Sequence, residues 1–230
     1  MEKRPQKTLA HTLTGETCAR LFLSLLLFVP ALGASHLLPQ EPAFELPVAL
    51  PPAPEPLTAA PPKQLLKIHA ILTSHRPDIS PDESWRWAEV ILEESSKRHL
   101  DPLLVLALIR VESNFRPWAI SPKGARGMMQ IMPETGKFIA RSLADEYGFH
   151  AAGFTPEALD DPVLNLRFGI YYLHNMRNKF QDLHLALTAY NVGPSETQSR
   201  IDNDLEISED FAGLVLDAFG HYKRGRTPVL

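Results

Sequence analysis

The chain has 230 residues, 44% of them hydrophobic and 22% charged, with a formal net charge of −4. That is material for one medium domain with appendages and a real buried core. With no basic excess nothing points to a polyanion partner, and no nucleic acid is expected to bind. Residues 1–34 read as an export signal: Lys3, Arg4, Lys7 and Arg20 precede the apolar run 21–29, and Gly33-Ala34 supplies small residues where cleavage would fall. The run is short against the roughly 20 residues that span a bilayer, which favours a cleaved signal over the alternative, an uncleaved inner-membrane anchor. The single cysteine, Cys18, precedes the run, so cleavage would remove it and with it any thiol nucleophile or cysteine metal site. A periplasmic address is the expectation.

Residues 35–63 turn to Pro, Ala, Glu and Leu, including Pro51-Pro52-Ala53-Pro54-Glu55-Pro56. Such a stretch cannot enter a helix or sheet interior and predicts a disordered, polyproline-like linker. Residues 64–80 predict a helical lead-in that either packs on the following domain or continues the tether. The domain itself is expected over 81–223, followed by a tail over 224–230. Ser80-Pro81-Asp82-Glu83 supplies a cap, a proline at the first helical position and an acid in the first turn, opening a helix to about Arg98. Asp101-Pro102 opens the next in the same way, and 103–111 is so apolar around its circumference that it should run through the core.

A third helix is predicted from Glu134 to about Glu146, ended by Tyr147-Gly148. Thr155-Pro156-Glu157 and Asp161-Pro162 start two further turns or helices, and 182–190 and 209–223 complete the set. No alternating strand or Gly-rich hairpin is found, so the fold class is all-α. The histidines, among them His69, His75, His99, His150, His174, His184 and His221, stand at no ligand-like spacing, and neither metal nor cofactor is expected.

Glu112 closes the apolar run, with Ser113-Asn114-Phe115 behind it. A carboxylate at the edge of a buried segment is disfavoured in its charged form, so its pKa rises and it becomes a candidate general acid. The plainer alternative pairs it with Arg110 or Arg116 at a helix end. Downstream lie Gly124-Ala125-Arg126-Gly127-Met128-Met129-Gln130-Ile131-Met132-Pro133 and Ala189-Tyr190-Asn191-Val192-Gly193. The glycines permit close backbone approaches along a cleft. Gln130 brings an amide suited to hydroxyl and acetamido groups. Met128, Met129 and Met132 offer soft apolar surface, with core filling the equal alternative for the first two.

The order of these three motifs resembles the soluble lytic transglycosylase (SLT domain) family of the lysozyme-like superfamily, over about 84–222. Met128 and Val192 depart from the leucine and alanine commoner there, both volume-tolerant exchanges. The resemblance implies a lysozyme-like helical domain that cleaves the β-1,4 bond between N-acetylmuramic acid and N-acetylglucosamine in peptidoglycan. It implies Glu112 as the catalytic acid and then base, closing a 1,6-anhydro ring. It implies substrate-side roles for Ser113, Ser121, Gln130, Met132, Tyr190 and Asn191, and packing behind the site for Asn165, Gly169, Tyr172 and Leu173. Size and analogy add a secretion, conjugation or pilus apparatus as the partner beyond the glycan strands. A hydrolytic muramidase would instead need a second acid from Asp145, Glu146, Asp160 or Asp161. A non-catalytic wall-binding assembly module is the remaining alternative.

Overall fold

The computed structural model describes residues 62–148 and 151–226. The expected signal segment, nearly all of the linker and the last four residues of the tail lie outside them. What is described is helical: α1 (Lys63–His75), α2 (Pro81–Lys97), α3 (Pro102–Ser113), α4 (Pro133–Ser142), α5 (Ala144–Tyr147), α6 (Pro162–Phe180), α7 (Leu183–Val192), α8 (Pro194–Asp202) and α9 (Asp210–Lys223). Among the described residues the only β-type pairings are two isolated bridges, Ile120 with Arg126 and Arg126 with Ile131.

Helix starts follow the cap chemistry. The Ser80 hydroxyl accepts from the Glu83 amide while the Glu83 carboxylate accepts from the Ser80 amide, a closed capping box ahead of Pro81. Asp101 accepts from the Leu103 amide at 2.9 Å and Asp161 from the Leu164 amide at 2.7 Å, each followed by proline at the first helical position. Every residue of α3 from Pro102 to Arg110 is buried, so this helix forms the axis of the core, with α9 packed along it. A fully buried leucine contributes about 1.5–3 kcal/mol, and α3 alone carries two, Leu106 and Leu108, beside the nearly buried Leu103 and Leu104.

The lead-in belongs to the domain. Leu65, Ile68 and Leu72 face the core from α1, at the i, i+3, i+7 spacing of one helix face. His69 stacks on Trp85 at 3.8 Å between ring centres, and its Nε2 lies 3.0 Å from the Ser84 hydroxyl, joining α1 to α2.

Two features differ from the sequence expectation. The helix predicted over 134–146 divides at Leu143, whose side chain is buried, into α4 and the short α5. Between Gly193 and Asp202 a further helix, α8, stands where no helix was expected. It is polar on most of its surface and buries only Thr197, so it lacks the apolar periodicity by which a helix is recognised.

Candidate active site

α3 stops abruptly. Asn114 (φ 53°) and Phe115 (φ 60°) are both left-handed, and Asn114 caps the helix by donating its amide to the Arg110 carbonyl. Phe115 is fully buried beneath His75, stacked at 4.6 Å, and its carbonyl accepts from the Arg76 guanidinium at 2.8 Å. An aromatic in this conformation carries strain that packing must hold. Glu112 therefore sits in the last turn of a rigid helix, beside a turn that α1 pins from outside.

The chain between Ala119 and Ile131 folds back on itself to form one wall. Gly127 donates to the Ala119 carbonyl at 2.9 Å, Ser121 donates to Ala125 at 2.9 Å, and Arg126 and Ile131 exchange both backbone bonds at 3.0 Å. Asn165, fully buried on α6, clamps this wall. Its Oδ1 accepts from the Met129 amide at 2.8 Å, and its Nδ2 donates to the Arg126 and Leu159 carbonyls at 2.9 and 3.0 Å. The Ser113 hydroxyl donates to the Met128 carbonyl at 2.8 Å and the Tyr190 hydroxyl to the Met129 carbonyl at 2.8 Å. Three elements, α3, α6 and α7, thus hold the backbone of 126–129.

Between this wall and the end of α7 lies a cleft of about 430 Å³ lined by Glu112, Ser121, Gln130, Met132, Tyr190 and Asn191, together with Tyr172, Lys123 and Val192 among others. Five of the six residues assigned substrate-side roles by resemblance are in this lining. Ser113 is not. It is buried, and its hydroxyl is committed to the Met128 carbonyl, so it fixes the wall from behind. Met128 and Met129 are fully buried, which resolves their two alternatives in favour of core, while Met132 is exposed at the rim. Tyr172, expected only to pack behind the site, lines the cleft with its ring 5.1 Å from that of Tyr190. Its facing depends on how α6 meets α7, which no local sequence signal encodes.

Burial pushes the Glu112 carboxyl from its usual 4.5 up to about 8. Among the described residues no arginine holds it. Arg110 is bonded to Asn114, and Arg116 donates to the Ser113 carbonyl at 2.9 Å. The Tyr190 hydroxyl is raised well above its ordinary value, first by burial and then by the Glu112 charge, which places the two groups within electrostatic reach. Gln130, at φ 48°, spends both amide hydrogens on the Ala119 and Gly127 carbonyls, so only its oxygen is left for the cleft.

Among the described residues no other carboxylate lines the cleft. Asp160 is paired with Arg126, Glu146 with Arg98, and Asp161 caps α6. Asp145 lies exposed on α5. No group of three or more His, Cys, Asp or Glu that could hold a metal occurs among the described residues. The arrangement is one neutral acid facing an open trench bordered by hydroxyls, an amide oxygen and apolar side chains.

A family model described as the transglycosylase SLT domain matches residues 89–210, just over half of the chain. The chain belongs to the SLT domain family. Its similarity to the membrane-bound lytic murein transglycosylase C of Shigella sonnei is 28% identity over 146 residues, covering 60% of this chain and 39% of that protein. The chain therefore spans about two fifths of the length of that relative. Among solved structures, the inactive glutamate-to-glutamine mutant of the lytic transglycosylase Slt from Pseudomonas aeruginosa superposes with a TM-score of 0.50 at 26% identity, covering 60% of this chain and 24% of that one. The 70 kDa soluble lytic transglycosylase of Escherichia coli shares the fold at a TM-score of 0.53 and 24% identity, over 70% of this chain and 29% of that one. In the SLT domain described here, α1 lies before the matched residues and is nevertheless built into the core.

Proposed function

We propose that this SLT domain is a peptidoglycan lytic transglycosylase that cuts the β-1,4 bond between N-acetylmuramic acid and N-acetylglucosamine without water. The observation that carries this reading is the solitary Glu112, protonated at neutral pH and facing the cleft. Glycosidic cleavage needs a proton for the leaving oxygen, and a hydrolase of this kind adds a second carboxylate about 5–9.5 Å away. With one acid, the nucleophile comes from the substrate. Glu112 gives its proton to the glycosidic oxygen as the bond to the anomeric carbon breaks. The 6-hydroxyl of the muramoyl sugar then attacks that carbon, its proton passes to the Glu112 carboxylate, and the 1,6-anhydro ring closes. The intramolecular attack has a high effective molarity, so water competes poorly. That a glutamate-to-glutamine change gives an inactive form of the Pseudomonas relative supports the role given to Glu112.

In this reading Ser121, the Gln130 oxygen, Tyr172 and Asn191 meet the hydroxyl and acetamido groups of the glycan, and Met132 offers apolar surface to a ring face. Tyr190 and Ser113 act through the backbone of 128–129. The residues of 1–34 support export to the periplasm, released or anchored, and the Pro-rich 35–63 would give the domain the reach to serve an envelope-spanning secretion, conjugation or pilus machine. No helix among the described residues is long and apolar enough to cross a membrane. Digestion of purified sacculi with the purified protein, read by mass spectrometry, tests the reaction. Anhydromuropeptides are expected; reducing muramic ends would replace the reading with a hydrolytic muramidase, and binding without soluble fragments would replace it with an assembly module.

A further inference from the structure

The backbone behind the acid is held from outside the cleft. Just after Glu112 the chain turns through Asn114 and Phe115, two consecutive left-handed residues with side chains. Each such residue costs on the order of 1–3 kcal/mol and persists only where its surroundings over-determine it. For Phe115 those surroundings come from the end of α1. The His75 ring stacks on it at 4.6 Å between ring centres and 15° between planes, with the Tyr222 hydroxyl of α9 lying 2.8 Å from His75 Nε2. Arg76, the next residue, divides its guanidinium between two partners. One terminal nitrogen donates to the Phe115 carbonyl at 2.8 Å, while Nε and the other terminal nitrogen donate to the two Asp78 carboxylate oxygens at 2.7 and 2.8 Å. The bidentate pair fixes the plane of the fork, and with it the direction of the third bond. His75, Arg76 and Asp78 all stand outside the cleft lining and before the residues matched by the SLT model.

We propose that Arg76, oriented by Asp78, is a positioning residue for the catalytic acid: its grip on the Phe115 carbonyl keeps the left-handed turn shut and the last turn of α3, which carries Glu112, wound against the core. This rests on the function proposed above. Without the grip the Phe115 backbone relaxes toward the extended region, the final turn of α3 frays, and water reaches a carboxyl whose proton is retained by burial. The direction of the resulting change separates position from charge. Removing a cation raises a nearby carboxyl's pKa, whereas hydrating that carboxyl lowers it. The charged or titratable groups about Glu112 are Tyr190 on α7, Tyr172 on α6, Lys123 on the wall, and Arg110 and Arg116 beside it along the chain. Arg76 is bonded to Asp78 and Phe115 instead, so it reaches Glu112 through the turn.

The test compares the full chain with Arg76→Ala, Arg76→Lys and Asp78→Asn, in all of which Leu65, Ile68 and Leu72 still hold α1 on the core. In Arg76→Ala the upper limb of the kcat/KM profile against pH is expected about one pH unit below its wild-type position. At neutral pH kcat should fall about tenfold with KM within about twofold, because the acid is displaced while the cleft lining is untouched. Asp78→Asn should move the limb the same way by less, and Arg76→Lys, which keeps a donor for the carbonyl, should restore most of it. A limb unmoved or raised in Arg76→Ala, however far the melting temperature drops, overturns the proposal; where that variant does not fold, the same result in Asp78→Asn does so. Carbon-13 NMR titration of the Glu112 carboxyl in these proteins reads the shift without substrate. A wild-type chain that cleaves no sacculi would sink the proposed reaction, while this titration still decides the role of Arg76.

Discussion

A Cβ built on Gly127 would fall 2.1 Å from Asn165 Nδ2. The glycine, at φ 77°, lets the cleft wall pass directly over the amide that clamps it, and any side chain there would drive the two apart. Gly127→Ala is therefore expected to cost upwards of about 2 kcal/mol, from the left-handed backbone and the displaced clamp together, and to lower activity along with stability. Asn165→Leu should be at least as damaging, because it leaves the Met129 amide and the Leu159 carbonyl without the clamp at about 1–3 kcal/mol each, while the Arg126 carbonyl keeps only its bond from the Ile131 amide. Urea unfolding of both variants checks this; a loss below about 1 kcal/mol in either would mean that the wall is held by something else.

Glu112 gives the sharpest pH dependence. Its folded-state pKa, about 8, lies above its ordinary 4.5, so the folded state holds a proton that the unfolded chain releases between those values. Stability attributable to this group is highest below about 4.5, falls as pH rises by up to about 1.4 kcal/mol per unit, and levels off above about 8. Glu112→Gln should remove that slope while keeping the fold, and cleavage should drop at least about 100-fold. In wild type the acid must be protonated in the free enzyme, so kcat/KM should fall as pH climbs through about 8. A profile flat to pH 9.5, or a glutamine variant of near-normal activity, would dismiss Glu112 as the acid.

The two cleft tyrosines should separate in their effects. Tyr190→Phe removes a buried donor from the Met129 carbonyl and is expected to cost about 1–3 kcal/mol in thermal or urea unfolding. Tyr172 borders the cleft with no hydrogen bond among the described residues, so Tyr172→Phe should stay within about 0.5 kcal/mol of wild type while raising KM. Equal destabilisation by both would return Tyr172 to a packing role.

Helix α1 precedes the residues matched by the SLT family, yet it carries fully buried Ile68 and Leu72 and presents His75 to Phe115. Leu72→Ala is expected to cost about 2–5 kcal/mol, as a core truncation does. A cost near zero by calorimetry or denaturant titration would show α1 to be a dispensable lead-in.

Glu94 is fully buried with Arg98 at 2.6 Å, Lys97 and Arg167 farther out, and the Tyr147 hydroxyl donating to it at 2.6 Å. Glu94→Gln leaves Arg98 without its closest partner and should destabilise by about 3–5 kcal/mol. Because none of these groups lines the cleft, activity per folded molecule should survive; its loss would tie the network to the site.

Local chemistry made much of this molecule legible in the sequence. The caps at Ser80, Asp101 and Asp161 depend on residues one to three positions away, and they are formed as written. The run 103–109 is buried because its apolar circumference leaves it no other place, and that put Glu112 at a core edge. What was hidden depends on distance along the chain. Asn165 meets its wall 36 and 39 positions upstream, so these two bonds have no local signature. Tyr172 turns toward the cleft only because α6 crosses α7. α8 begins with Gly193-Pro194, a pair that reads as a turn, and its polar surface hides the helical period.

All three bonds made by Asn165 end on main-chain atoms. The path of residues 126–129 is thus fixed through the main chain, and Lys123 and Met132 project from a frame that does not depend on them. Substitutions at such positions can retune what the groove grips while the scaffold beneath stays put, which makes this fold readily re-tailored to differently dressed polymers.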